Sequence, residues 1–327
     1  MTTGLLLVVL AGLMNGSFAT PMKRVRGWAW EHTWSAWALS GCVIIPVLAA
    51  LATLKEPWRV YAETPRGALA MSGLFGLVWG VAAVLFGLGV ARVGLAIGFG
   101  VILGISATLG ALIPLATLHP EALLEPVGIL TMCGVAAVLA GVACCAAAGR
   151  SREATLAVTP SGLAICILSG LGAPLINIGL AYGSAIVETA QRLGASPLDA
   201  RNAIWPVLLG AAFPVNAGYC LYLMKKRSGF APLWGPASGA NFALGSLMGL
   251  LWMGSNFAYA YGSAQMGPLG LSLGWPIMMG CVVLTANGWG AATGEWKGAG
   301  ARAKKWMLAG VALLVAGIVV ISLAGRA

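Results

Sequence analysis

The chain has 327 residues, of which 59% are hydrophobic and 9% charged, and a formal net charge of +10. A soluble domain carries roughly 25% charged residues, so a soluble globule is excluded. The positive excess does not describe a nucleic-acid surface either, because Lys and Arg sit in short clusters between apolar runs, where they act as topology signals.

Those runs are each about 20 residues long, enough to cross roughly 30 Å of hydrocarbon. They predict an all-α integral membrane protein with ten spans, at 3–20, 33–53, 67–90, 93–117, 125–147, 160–185, 203–224, 240–263, 267–290 and 304–324. The first run has no basic residues before it, and its cluster of Lys23, Arg24 and Arg26 comes after it. That order reads as an uncleaved first helix and not as a signal peptide. Ala91-Arg92-Val93 and Ala264-Gln265-Met266 are expected to form tight turns between spans. The segment 186–202 is expected to be an amphipathic extension, with Ile186, Val187, Ala190 and Leu193 opposite Glu188, Gln191 and Arg192. Ser196-Pro197-Leu198-Asp199 then has the pattern of a capped helix start, placing the seventh span near Pro197.

A repeat organises these spans. Gly76-Leu77-x-Trp79, with Gly89-x-Ala91-x-x-Gly94, recurs as Gly249-Leu250-x-Trp252, with Gly262-x-Ala264-x-x-Gly267. Gly4, Gly12 and Leu13 match Gly162, Gly170 and Leu171; Gly134, Gly141 and Arg150 match Gly310, Gly317 and Arg326. The halves are therefore 1–150 and 151–327. Five spans per half is an odd number, so the second half enters the membrane from the other side, as in the inverted repeats of secondary transporters. Lys and Arg concentrate in the loops after odd-numbered spans, which makes those loops cytoplasmic and both termini periplasmic.

Polar groups inside spans are expensive and mark candidate sites. Asn15, Asn177, Asn216 and Asn256 offer the donors and acceptor that a neutral polyhydroxylated ligand needs, or else bond neighbouring helices. Trp79, Trp252 and Trp275 lie within spans, where a sugar's C–H face could pack on them, or they simply fill space. Trp28, Trp30, Trp34, Trp58, Trp296 and Trp306 sit near span ends and read as interfacial anchors. No carboxylate stands mid-span. Glu31, opening the second span, is the candidate for proton coupling, unless it pairs with the nearby cations; Arg92 and Glu295 are weaker candidates for gating. The seven cysteines form no metal pattern, and no nucleotide loop or catalytic set is present, so neither a cofactor nor an enzyme is expected.

Lys23-Arg24-Val25-x-x-Trp28-x-Trp30-Glu31-x-x-Trp34 and Gly294-Glu295-Trp296-Lys297-x-Ala299-Gly300 resemble the bacterial L-rhamnose–proton symporter family, of the drug/metabolite transporter superfamily. The blocks at 74–80 and 94–104 are similar to it as well. The resemblance implies two inverted five-helix repeats around a central cavity, alternating access, and sugar uptake with protons across the bacterial inner membrane. Departures at 81–84 and 267–274, apolar where polar residues are expected, fall where the cavity should be. An exporter or exchanger of another small metabolite, or a sugar-binding membrane sensor, is the alternative. Asn256 lies one turn beyond Trp252, whereas the matching position after Trp79 is Ala83, so the sugar is expected to lean on the second half.

Overall fold

The computed structural model describes residues 2–93, 95–152, 159–294 and 296–324. Fourteen α-helices follow in order: α1 (Thr2–Ser17), α2 (Trp30–Leu39), α3 (Ile45–Thr53), α4 (Pro57–Glu63), α5 (Arg66–Val93), α6 (Leu95–Leu118), α7 (Pro126–Arg152), α8 (Pro160–Gly172), α9 (Leu175–Tyr182), α10 (Ser184–Arg192), α11 (Ile204–Leu223), α12 (Ser238–Gln265), α13 (Gly270–Ala292) and α14 (Ala301–Ala324). No strand occurs among the described residues. Nine helical segments among them are long and apolar enough to cross a membrane, so this is a multi-pass membrane protein. The long helix outside those nine is α12. Its 28 residues would reach about 42 Å at the helical rise, so length is not what it lacks. Buried Asn241, Ser255, Asn256, Tyr259 and Ser263 give it a polar interior face instead.

Local sequence accounts for where the helices bend. Pro46 has no N–H for the carbonyl one turn before it, and the chain answers with a π-helical turn at Ser40–Ile44, where Ile45 N–H reaches back to Ser40 O. Pro174 separates α8 from α9, in a plain turn. At the first expected tight turn, α5 stays helical through Val93, leaving only residue 94, outside the described set, before α6. At the second, Gly267 takes φ +91, which favours glycine. The expected extension contains α10, with Ile186 and Ala190 buried and Glu188, Gln191 and Arg192 exposed. Ser196 does accept a hydrogen bond from Asp199 N–H at 3.1 Å. That cap opens a 3₁₀ turn at Asp199–Ala203, and the α-helix proper begins only at Ile204.

The chain forms two compact units, each drawing on both sequence halves. The first comprises Met1–Gly16, Leu85–Ile178 and Ala258–Ala327. Glycines let its helices approach closely. Gly134 lies on Gly317 O and Gly317 on Gly134 O, while Gly141 and Gly310 face each other's carbonyls likewise, so α7 and α14 run antiparallel. Leu7 and Val8 lie on Gly262 as Ile165 and Cys166 lie on Gly89. Gly12 meets Cys281 and the Met278 carbonyl as Gly170 meets Ile105 and the Ile102 carbonyl.

The second unit comprises Ser17–Val84 and Gly179–Phe257. Here α2, the π turn and α3 pack on α11. Gly76 of α5 leaves room for the Leu208 backbone, and Gly249 of α12 for Ser40 and Gly41. At its surface Arg59 bridges Glu56 and Glu63 (3.3 and 2.6 Å), and Arg192 reaches Glu63 at 3.2 Å.

Candidate functional site

In the second unit α2 places Trp30, Trp34 and Trp37 along one face, by the i, i+4, i+7 spacing. Their rings join those of Trp252 and Trp79 in one column. Centroids are 4.9 Å apart for Trp30–Trp34, 4.2 Å for Trp34–Trp37, 5.2 Å for Trp37–Trp252 and 5.3 Å for Trp79–Trp252. The last pair is stacked at 21°, so Trp79 and Trp252 cover each other's faces in this conformation. Both are buried, at 8% and 6% exposure. Trp34, expected as an interfacial anchor, is instead buried in the column and donates its indole N–H to Asn216 Oδ1 at 3.0 Å. Trp58 and Trp306 do stay exposed.

Asn216 is fully committed. Its amide nitrogen donates to Ala212 O at 3.1 Å, with Gly80 O at 3.5 Å, so the side chain ties α11 to α2 and α5. Asn256 is buried and donates to Trp252 O at 2.9 Å.

Glu31 stands at the foot of the column, 7% exposed, the one buried carboxylate among the described residues. It makes no ion pair with a described residue, so the alternative of a pairing with Lys23, Arg24 or Arg26 is not found there. Its neighbour His32 is wholly enclosed. Nδ1 accepts the Ala29 N–H at 3.0 Å, which leaves Nε2 as the protonated nitrogen donating to Gly229 O at 2.8 Å. Trp28 Nε1 donates to Pro232 O (2.8 Å), and Asn241 pairs with both the N–H and the carbonyl of Arg26. The chain that carries Glu31 is thereby tied to the 229–241 segment.

In the first unit Pro114 deprives the Gly110 carbonyl of its helical N–H, and Asn177 Nδ2 supplies the bond at 3.0 Å. Tyr259 OH donates to Asn177 Oδ1, and lies 3.2 Å from Leu271 O. Trp275 packs edge-on against Tyr259 at 5.4 Å and donates to Ser106 O at 3.0 Å. Asn15 is half-buried in α1, and Arg92 is exposed at the end of α5. Glu295 lies outside the described residues.

The family model of L-rhamnose-proton symport protein (RhaT) matches residues 1–326. The chain belongs to that symporter family. It is a family of transporters, not of enzymes. An L-rhamnose-proton symporter of Citrobacter koseri is 27% identical over 338 residues, covering 99% of this chain and 96% of the relative. One from Cronobacter sakazakii is 26% identical over 314 residues, 92% and 91% of the two chains. One from Salmonella paratyphi B is 27% identical over 338 residues, 99% and 96%.

Within this member of the symporter family, sequence reasoning missed Trp37, the central ring of the column. A signal was available. Trp37 precedes Pro46 by the same spacing that Trp205 precedes Pro214, one pair in the second span and one in the seventh. Trp205 is likewise buried, with Phe257 edge-on at 6.1 Å.

Proposed function

We propose that the chain is a secondary active transporter that takes up L-rhamnose, or a related deoxysugar or monosaccharide, together with protons by alternating access. Family membership supports sugar–proton symport. The observation that carries the reading to particular residues is Glu31, a buried carboxylate without an ion pair among the described residues, at the foot of a tryptophan column. A carboxylate can carry a proton through a transport cycle, and stacked indoles offer the flat faces on which sugar C–H groups pack. We assign proton coupling to Glu31 and sugar contact to Trp79, Trp252 and Asn256. Asn177, Asn216 and Trp275 hold helices together in this conformation, and we assign them a structural role. Asn15 remains a candidate ligand contact, and Arg92 and Glu295 candidate gates.

The architecture we infer is ten spans in two inverted repeats, 1–150 and 151–327, with α12 as the eighth span and both termini periplasmic in a bacterial inner membrane. Reciprocal contacts support it. In an arrangement with two-fold character, residue i touches the counterpart of j while j touches the counterpart of i. Gly134 with Gly317 and Gly141 with Gly310 have that relation, as do the paired contacts of Gly89 and Gly262 and of Gly12 and Gly170.

The test is labelled L-rhamnose in proteoliposomes. Counterflow establishes transport as opposed to binding, and accumulation driven by an imposed pH gradient, with proton entry followed by a dye, establishes symport. Counterflow without pH-driven accumulation would replace symport by facilitated diffusion. Binding without counterflow would make the chain a sensor.

A further inference from the structure

Trp37 is the one tryptophan of the column whose indole nitrogen is fully enclosed and lacks a hydrogen-bond partner among the described residues. Its side chain is 1% exposed. Buried donors are almost always paired, and an unpaired one calls for an explanation. The neighbouring Trp34 shows what a purely structural indole does here, since its N–H is taken by Asn216. Ring packing does not account for the missing partner either. Trp37 contacts Trp34, Trp252 and Phe18, and none of those contacts gives the N–H an acceptor.

We propose that the Trp37 indole N–H is a sugar-binding group, donating to one hydroxyl oxygen of the transported monosaccharide. This rests on the sugar-symport reading and deepens it, adding a specificity-determining donor to the aromatic surface of Trp79 and Trp252. An indole N–H only donates, so it selects for an acceptor oxygen at one position of the ring. It is enclosed in the present conformation, with Trp252 lying edge-on against Trp37 and face-on against Trp79. The sugar therefore reaches it in the conformer in which the Trp79–Trp252 stack has parted, which links binding to the change of access.

The experiment compares wild type with Trp37→Phe, and with benzothienylalanine at position 37, which keeps the two-ring shape and removes only the donor. Each is reconstituted, and L-rhamnose and its monodeoxy analogues compete for counterflow. Loss of the donor should weaken L-rhamnose about ten-fold. One deoxy analogue should lose the same factor in wild type and nothing further in either variant. The assignment is overturned if both variants bind L-rhamnose as wild type does. It is equally overturned if every analogue keeps its wild-type penalty in them, the pattern of an N–H that serves a trapped water only. A wild type that transports none of these sugars would instead remove the sugar reading itself, a separate result. Should Trp37→Phe fail to assemble, the benzothienylalanine protein alone decides the matter.

Discussion

The two units handle buried polarity differently. Among the described residues of the first, the Ser106 hydroxyl is the one buried side-chain group left without a partner, and the Asn177–Tyr259 pair repairs a carbonyl that Pro114 had orphaned. The second leaves Trp37, Tyr61, Ser72, Trp205 and Ser228 each with an unpartnered group and buries Glu31 besides. An unmet buried donor or acceptor costs about 1–3 kcal/mol. Among the described residues, the first unit thus leaves one such group open and the second leaves five. Position of a polar residue inside a span does not separate the two, because Asn177 and Trp37 are equally buried; what remains unbonded around each does.

The largest effect is expected at Glu31. Glu31→Gln should reduce pH-driven accumulation of L-rhamnose to simple equilibration while counterflow persists. Thermal stability in detergent should hold, since no ion pair among the described residues is lost. If accumulation survives, coupling resides elsewhere. Asn177→Ala is the opposite case. It strips the partner from Gly110 O and from Tyr259 OH, and should destabilise the protein by about 2–4 kcal/mol. The fraction that folds should retain wild-type sugar selectivity. A changed selectivity would instead make Asn177 a ligand contact.

Trp252→Ala comes next, with L-rhamnose bound about ten-fold more weakly, because both Trp37 and Trp79 lose their shared neighbour. Equilibrium binding in detergent checks it. Unaltered binding would leave the column as packing alone.

Much of this was legible in the sequence. The recurrence of Trp79 as Trp252 at fixed spacing from glycines singled out two rings that stack on each other, and Glu31 was visible as the acidic residue opening the second span. The glycines matched between halves make reciprocal contacts. Other features depend on distant partners. Asn177 reads as a ligand group until the missing N–H of Pro114, far away in the chain, shows why it is needed. Trp34 sits near a span end like an anchor, yet it is buried against the rings of Trp30 and Trp37 and bonded to Asn216. The polarity of α12 was readable from Asn256 and Tyr259, but only burial shows that those groups face inward.

Tyr61 sharpens the comparison at its smallest. Its hydroxyl is enclosed and unpartnered like the Trp37 N–H, but it lies in α4, between spans and away from the column. Burial pushes the Tyr61 phenol from its ordinary value of 10.0 up to about 12. The fold therefore favours the neutral form. The stability this contributes is intact below pH 10 and is lost as the pH climbs from 10 toward 12. Tyr61→Phe should leave sugar affinity unchanged and raise stability near neutral pH, because an unmet buried group is removed and no hydrogen bond is lost, and should flatten the fall in melting temperature between pH 10 and 12. If it weakened sugar binding as Trp37→Phe is expected to, then unmet polarity anywhere in this unit would disturb the site, and the specific claim for the column would fail.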